Sequence, residues 1–390
     1  MTKLWFRKSV SALLCTLLLS SPLGAWQAAA GSLLDQAIKA ESALRFDLAT
    51  DRLYQLIVEH PSSPDAWSAR TRLAKLLALI GEVPSALLEC QALRNETPAE
   101  HALRQPAFDM ATLLARRLRV ATSPPYFSGA GGVVLRGMPA TDEPTHIDVA
   151  PSGNLLIADA GLGRAFAVTA GVATVLPTGQ DVTAAAFMSD GRTVTADKAG
   201  IAIGGARALW FNGTWGGKVR QMKKTRSLAA LSTGDLLVVD KDYDGLLRCK
   251  SDGTCVVWGP PGKLRAVTVG ASDFVYLLDD KQQSVRVLDP TGRVVATIGP
   301  MFGGVKFGEI VDIAVDRAFG LYILDKETRR VEILALRADR ANALTMVPVG
   351  FAMVPQDGES GMKNPSAIGV MPDGSVLVAG RSSARLLGFQ

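Results

Sequence analysis

Few side chains in this sequence of 390 residues carry reactive chemistry. The three histidines are His60, His101 and His146, and only His146 has a carboxylate counterpart at a matching place in a repeated pattern. That counterpart is Asp312. Each stands one residue before a recurring apolar strand, where the other copies carry Ala184, Ser227, Ala266 and Ala367. A histidine and an aspartate are the beginning of a metal site, but a catalytic zinc takes three protein ligands and an open position. No third ligand joins this pair, so no metal and no other cofactor is expected. Gly-x-Ser-x-Gly, Walker and His-Glu-x-x-His motifs are all missing. Gly161-Leu-Gly163 falls between two strands rather than between a strand and a helix, so it is no nucleotide fingerprint. No catalytic residue is therefore expected.

A second group has binding chemistry. Trp210, Phe211 and Trp215 lie in a glycine-rich stretch followed by Lys218, Arg220, Lys223 and Lys224. Aromatics beside cations suit an acidic partner, a glycan or another protein. The alternative is that Trp210 and Phe211 form an outer strand and pack between sheets. The basic runs Lys218 to Arg226 and Arg116 to Arg119 read as solvated faces.

The elements holding these residues fall into two parts behind an N-terminal segment. Lys3, Arg7 and Lys8 precede the apolar run Val10 to Leu19, and Ala28-Ala29-Ala30 offers a cleavage site, so residues 1–30 read as a secretory signal. The alternative is an uncleaved anchor. Leu14 is bulky where a lipidated Cys15 would need a small neighbour. The chain has 42 basic and 37 acidic residues. Residues 1–30 hold three of the basic residues and no acid, which leaves 39 against 37. That near-balance argues against a nucleic-acid partner, and after cleavage no membrane span is expected. An exported chain, periplasmic or secreted, also permits a disulfide. Cys249 and Cys255 flank Lys-Ser-Asp-Gly-Thr, a hairpin turn that sets them opposite each other at a separation suited to one. Cys90 reads as a buried helical residue.

Residues 31–120 show helical spacing: Leu33, Leu34, Ala37 and Ile38, then Leu53, Leu56 and Ile57, then Leu73, Leu76, Leu77 and Ile80. Pro64 and Pro98 bracket a 34-residue unit with Gly81 in its turn. That unit resembles a tetratricopeptide repeat, although its Leu-Gly and Tyr positions are poorly kept. The resemblance implies stacked antiparallel helical hairpins that either dock a partner or cap the next domain. Residues 121–131 read as a linker. In residues 132–390 a pattern recurs six times, from Ile147, Ala185, Leu228, Val267, Ile313 and Ile368 to Asp159, Asp197, Asp240, Asp279, Asp325 and Gly380. It is an alternating strand, a turn and a buried strand. Six copies predict a six-bladed β-propeller, with a strand near Gly132 to Arg136 closing the last blade.

These copies resemble NHL repeats, in which an Arg follows the terminal Asp. Arg164 follows Asp159, Arg330 follows Asp325, and Arg385 follows Gly380; the other copies lack it. The aspartates read as structural, capping backbone N–H groups, with the arginines able to pair with them. The expected chain is thus multidomain, α plus all-β. Its expected role is a non-enzymatic scaffold that meets protein partners in the cell envelope. The alternatives are a metal-dependent lactonase or lyase, as some six-bladed propellers are, or a small-ligand or glycan binder at the channel mouth marked by His146 and Asp312. Arg337 to Lys363 is long for a connection and reads as a second interaction loop.

Overall fold

The structure is a computed structural model that describes residues 22–122, 133–177, 181–209, 212–215, 218–222, 224–354, 362–381 and 383–387. The chain divides into two compact units. The first runs to Ala107 and includes Arg340–Asn342; the second holds Phe108–Asp339 and Ala343–Gln390. Residues 1–21, most of the expected signal, lie outside the described residues. No described helix is long and apolar enough to cross a membrane.

The first unit is helical: α1 (Pro22–Ser42), α2 (Phe46–Glu59), α3 (Pro64–Leu79), α4 (Val83–Glu96) and the start of α5 (Arg104–Thr122). Each of the first four packs on its neighbour in sequence. Ser63 caps α3 by accepting from the Asp65 N–H, and Pro64 occupies the first turn, where its missing N–H costs nothing. Gly81 adopts φ +91° in the turn between α3 and α4. Leu53, Leu56, Leu73, Leu76, Leu77 and Ala86 are buried at the expected spacing. Cys90 is buried too, and burial pushes its thiol up to about 12.

The expected boundary at residue 120 falls inside α5, most of which belongs to the second unit. The basic run there is not a solvated face. Arg117 is buried, donates to the Ala318 carbonyl at 2.6 Å, and pairs with Asp316. Tyr322 donates its hydroxyl to the same Asp316 carboxylate at 3.0 Å. Arg116 pairs with Asp373 at 2.9 Å and donates to Ser375 Oγ at 2.7 Å.

The rest of the second unit is a β-propeller. Five four-stranded antiparallel sheets are each drawn from one continuous stretch: 144–175, 184–209, 225–258, 264–298 and 310–353. Another four-stranded sheet is composite: Lys363–Val370, Val376–Arg381 and Ser383–Leu387 are completed by Val133–Val134. Val133 faces Leu386 and Val134 faces Arg385, so the first described strand of the unit becomes the outer strand of its last sheet. The innermost strands are Pro144–Val149, Ala184–Phe187, Thr225–Ala230, Leu264–Val269, Ile310–Val315 and Lys363–Val370. Each contacts the next, and the last contacts the first. Buried Val, Leu and Ile pack between sheets, as in the cluster of Leu237, Val239, Val267, Val275 and Leu277. Most of the described residues of the expected loop from Arg337 to Lys363 are strand: Arg330–Ala338 and Leu344–Met353 form one extended hairpin, whose long ladder satisfies backbone groups that a loop would leave to water. Cys249 and Cys255 face each other in register and form a disulfide.

Candidate functional site

The second strand of each of the five continuous sheets ends on the repeated aspartate, and that carboxylate organises the chain that enters the hub. Asp159 accepts from the N–H groups of Asp142 and Glu143 at 2.9 Å each, and from Leu162 at 3.0 Å. Asp325 accepts from Gly308, Glu309 and Thr328. Asp240 accepts from Lys224 and Asp242, Asp279 from Lys281 and Gln282, and Asp197 from Ala199. The expected ion pairs to the following arginine do not form. Arg164 is exposed, and the Arg330 guanidinium lies 4.4 Å from the Phe351 ring centroid, because the backbone already satisfies both carboxylates. Asp279 instead takes Arg286, at 3.1 Å. The side chain of Arg385 is outside the described residues.

Pairing across from these aspartates introduces a β-bulge. Pro144 faces Asp159, but His146 faces Ala158, so Thr145 is extra. The same slip makes Arg226, Arg265, Val311 and Ser366 extra in their inner strands. A bulge re-aims a side chain out of the ladder. All five bulged residues line one cavity of about 410 Å³, and so does Thr183, the equivalent residue in the remaining sheet. Because every sheet contributes to its wall, the cavity is at the hub of the propeller. The residues just after four of the repeated aspartates line it as well: Ala160, Lys198, Lys241 and Asp280. Four of the six expected hub positions were therefore off by one residue. Ala184, Ser227 and Ala367 are buried between strands rather than lining the cavity, while Asp312 and Ala266 do line it.

The wall is electrically lopsided. Lys198, Lys224, Arg226, Lys241 and Arg265 come from three consecutive sheets. Arg226 and Arg265 each donate one N–H to Asp280, at 3.3 and 3.2 Å. A guanidinium has five N–H donors, so one carboxylate leaves most of this pair unused. Lys198 pairs with Asp181 at 3.0 Å and Lys224 with Asp242 at 3.2 Å, while Lys241 has no ion pair among the described residues. An adjoining cavity of about 450 Å³ shares Arg226, Lys241 and Asp280 and adds Lys263 and Lys281. Arg226 was expected to end a solvated basic run; its bulge turns it into the hub instead. Trp210 and Phe211 lie outside the described residues. Trp215, Lys218 and Arg220 are in a two-stranded hairpin, Asn212–Trp215 with Lys218–Gln221, whose side chains are likewise not described.

Opposite the cations are acceptors. Asp312 is 1% exposed and lines the cavity. Its Oδ2 accepts from the Ile368 N–H at 2.9 Å; Oδ1 has no partner with hydrogen-bond geometry, although the Ile313 N–H lies near. Burial pushes this carboxyl up to about 6, against the pull of His146, the Ile368 and Ile313 N–H groups and Arg265. His146 is 4% exposed, with Nδ1 unpartnered. Asp148 is also held above the ordinary carboxylate range by burial, which His146 and two N–H bonds oppose. Both Asp148 oxygens accept backbone N–H groups, from Val149 at 2.9 Å and Phe187 at 2.6 Å.

These three side chains do not make up a catalytic zinc site. Asp148 is committed to the backbone, which leaves one imidazole nitrogen and one carboxylate oxygen, fewer than the three ligands of a catalytic zinc. Among the described residues no three His, Cys, Asp or Glu side chains converge as ligands.

No protein-family model matches the sequence, and no curated protein matches it either. Similar solved structures include a streptogramin B lyase, 12% identical over 68% of this chain and 100% of that one, with a TM-score of 0.45. Another is regucalcin, a calcium-binding protein from Agrobacterium tumefaciens: 14% identical, 66% of this chain and 94% of that one, TM-score 0.48. A third is a gluconolactonase from Xanthomonas campestris: 12% identical, 69% and 95% covered, TM-score 0.48.

Proposed function

We propose that the chain is an exported protein that binds a small anionic ligand at the hub of the propeller. One observation carries the reading: two half-buried arginines, Arg226 and Arg265, are turned into the cavity by bulges and share a single carboxylate. The cavity lies within the ~300–1,000 Å³ usual for small-molecule sites. Pre-placed guanidinium groups favour carboxylate and phosphate, which they bind through parallel N–H donors. On this reading the composite sheet counts as the sixth blade, the repeats are of NHL type, and the helical unit is a tetratricopeptide-like module that serves protein partners or caps. The scaffold role retreats to that module.

Isothermal titration of the full-length chain with inorganic phosphate at low ionic strength tests the site. Binding should weaken at least tenfold in Arg265→Gln and fall with added salt. An affinity unchanged by Arg226→Gln and Arg265→Gln together refutes an anion site at the hub.

A second reading, an enzyme, draws on the buried Asp312 carboxyl, raised to about 6 beside His146 in the cavity wall. A group poised near neutrality can exchange a proton with a bound molecule. Mass spectrometry of the ligand after long incubation separates the two: a converted ligand favours the enzyme, an unchanged one favours binding.

A further inference from the structure

Cations line the hub cavity from three consecutive sheets, and hydrogen-bond acceptors, the Glu143 carboxylate among them, line it from the others. Thr145 Oγ1 donates to the Thr183 carbonyl at 2.7 Å, and Ser366 Oγ donates to the Pro144 carbonyl at 2.6 Å. With their single hydrogens committed, both hydroxyls present only lone pairs to the cavity they line. Asp312 Oδ1, buried in the same half, has no hydrogen-bond partner. A buried acceptor left unmatched weighs against the folded site, so a ligand that donates to it binds better than one that does not.

We infer that the ligand is an anionic polyol: a carboxylate or phosphate held by Arg226 and Arg265, with hydroxyl groups that donate to Asp312, Thr145 and Ser366. This inference rests on the anion-site reading above and narrows it to a substrate class. The two ends do different work. The arginines supply attraction for any small anion, and the acceptor half selects among anions by requiring O–H donors. The His146 imidazole is outside the cavity wall.

Titration of the full-length chain with glucose 6-phosphate, glucuronate, glucose, inorganic phosphate and acetate tests it. One of the two sugar anions should bind at least tenfold tighter than its bare head group, phosphate or acetate, and at least tenfold tighter than glucose. Whichever sugar anion wins identifies the head group. Asp312→Asn should remove most of that advantage. Ser366→Ala, a milder change, should reduce it several-fold, so the inference stays testable if the Asp312 variant misfolds. Sugar anions that bind no tighter than phosphate and acetate, with phosphate still lost in Arg265→Gln, overturn the polyol inference and leave the anion site standing. Failure of every anion to bind overturns both.

Discussion

Replacing Asp312 by Asn should make the propeller more stable at alkaline pH and leave it unchanged in acid. The carboxyl is raised from 3.8 to about 6 by burial. One pKa unit corresponds to 1.36 kcal/mol, so the ionised side chain costs the folded state at most about 3 kcal/mol. A folded-state pKa above the unfolded value means that the native protein holds its proton more tightly. The cost is therefore complete above about pH 7, shrinks as pH falls through 6, and is gone below about pH 4. Asparagine keeps an oxygen for the Ile368 N–H and removes the charge. The charged groups acting on it are His146 and Arg265, both favouring the charge that the substitution deletes. Urea unfolding followed by circular dichroism at pH 8, 6 and 4 should show the Asn variant ahead at pH 8 by up to about 3 kcal/mol, ahead by less at pH 6, and level at pH 4. An Asn variant less stable than the parent at pH 8, or a gap of equal size at pH 4 and pH 8, would refute the burial argument.

Arg117→Ala leaves Asp316 buried without its cation and should destabilise the propeller by about 3–5 kcal/mol, read as a lowered urea midpoint; exchanging Asp316 for Asn in the same chain should recover part of the loss. Cys249→Ala with Cys255→Ala opens a very short loop, which in the chain-entropy account costs about 2 kcal/mol; dithiothreitol should lower the thermal midpoint of the parent and not of this variant. Gly374→Ala places a methyl group 2.7 Å from Leu113 Cδ1 at φ +84°, so hydrogen exchange in α5 residues 108–122 should quicken, and an unchanged exchange rate counts against that packing. Combining Arg226→Gln and Arg265→Gln should flatten the salt dependence of phosphate binding as well as weaken it.

Much of the propeller was legible because its repeated aspartates do a local job. Each must cap the backbone that leads into its own or the adjoining strand, so the residue recurs wherever the copy can fold, and the spacing reports the sheets. The Cys249–Cys255 bridge was legible for the same local reason, since a five-residue hairpin turn dictates which residues face each other. The limits of the helical part were less visible. Proline and glycine mark where α3 and α4 begin and end, but nothing local says that α5 belongs mostly with the sheets. That depends on Arg117 meeting Asp316 and Tyr322, partners about 200 residues away. The fate of Arg330 is hidden for another reason: its neighbour Phe351 comes from the next strand of its hairpin, whose register the sequence pattern does not give.

Four of the six hub positions were misread by one residue, and the reason is geometric. Strict alternation along a strand assigns successive side chains to opposite faces, and a bulge breaks the alternation once. Every inner strand except Ala184–Phe187 has its bulge before the same residue, so the error repeats around the ring. A signal was nonetheless present. Thr145, Thr183, Arg226, Arg265, Val311 and Ser366 each stand fourteen residues before the last position of their copy. Reading that column shows two arginines in consecutive copies, where a ladder position would favour an apolar or β-branched residue. Two adjacent sheets that each spend a bulge on a guanidinium are hard to explain by packing, because neither arginine is deeply buried and both reach the same exposed-side carboxylate. Electrostatics supplies the explanation: cations gathered on one arc of a ring and acceptors on the other give the hub a direction, and a directed cavity prefers a ligand whose two ends differ.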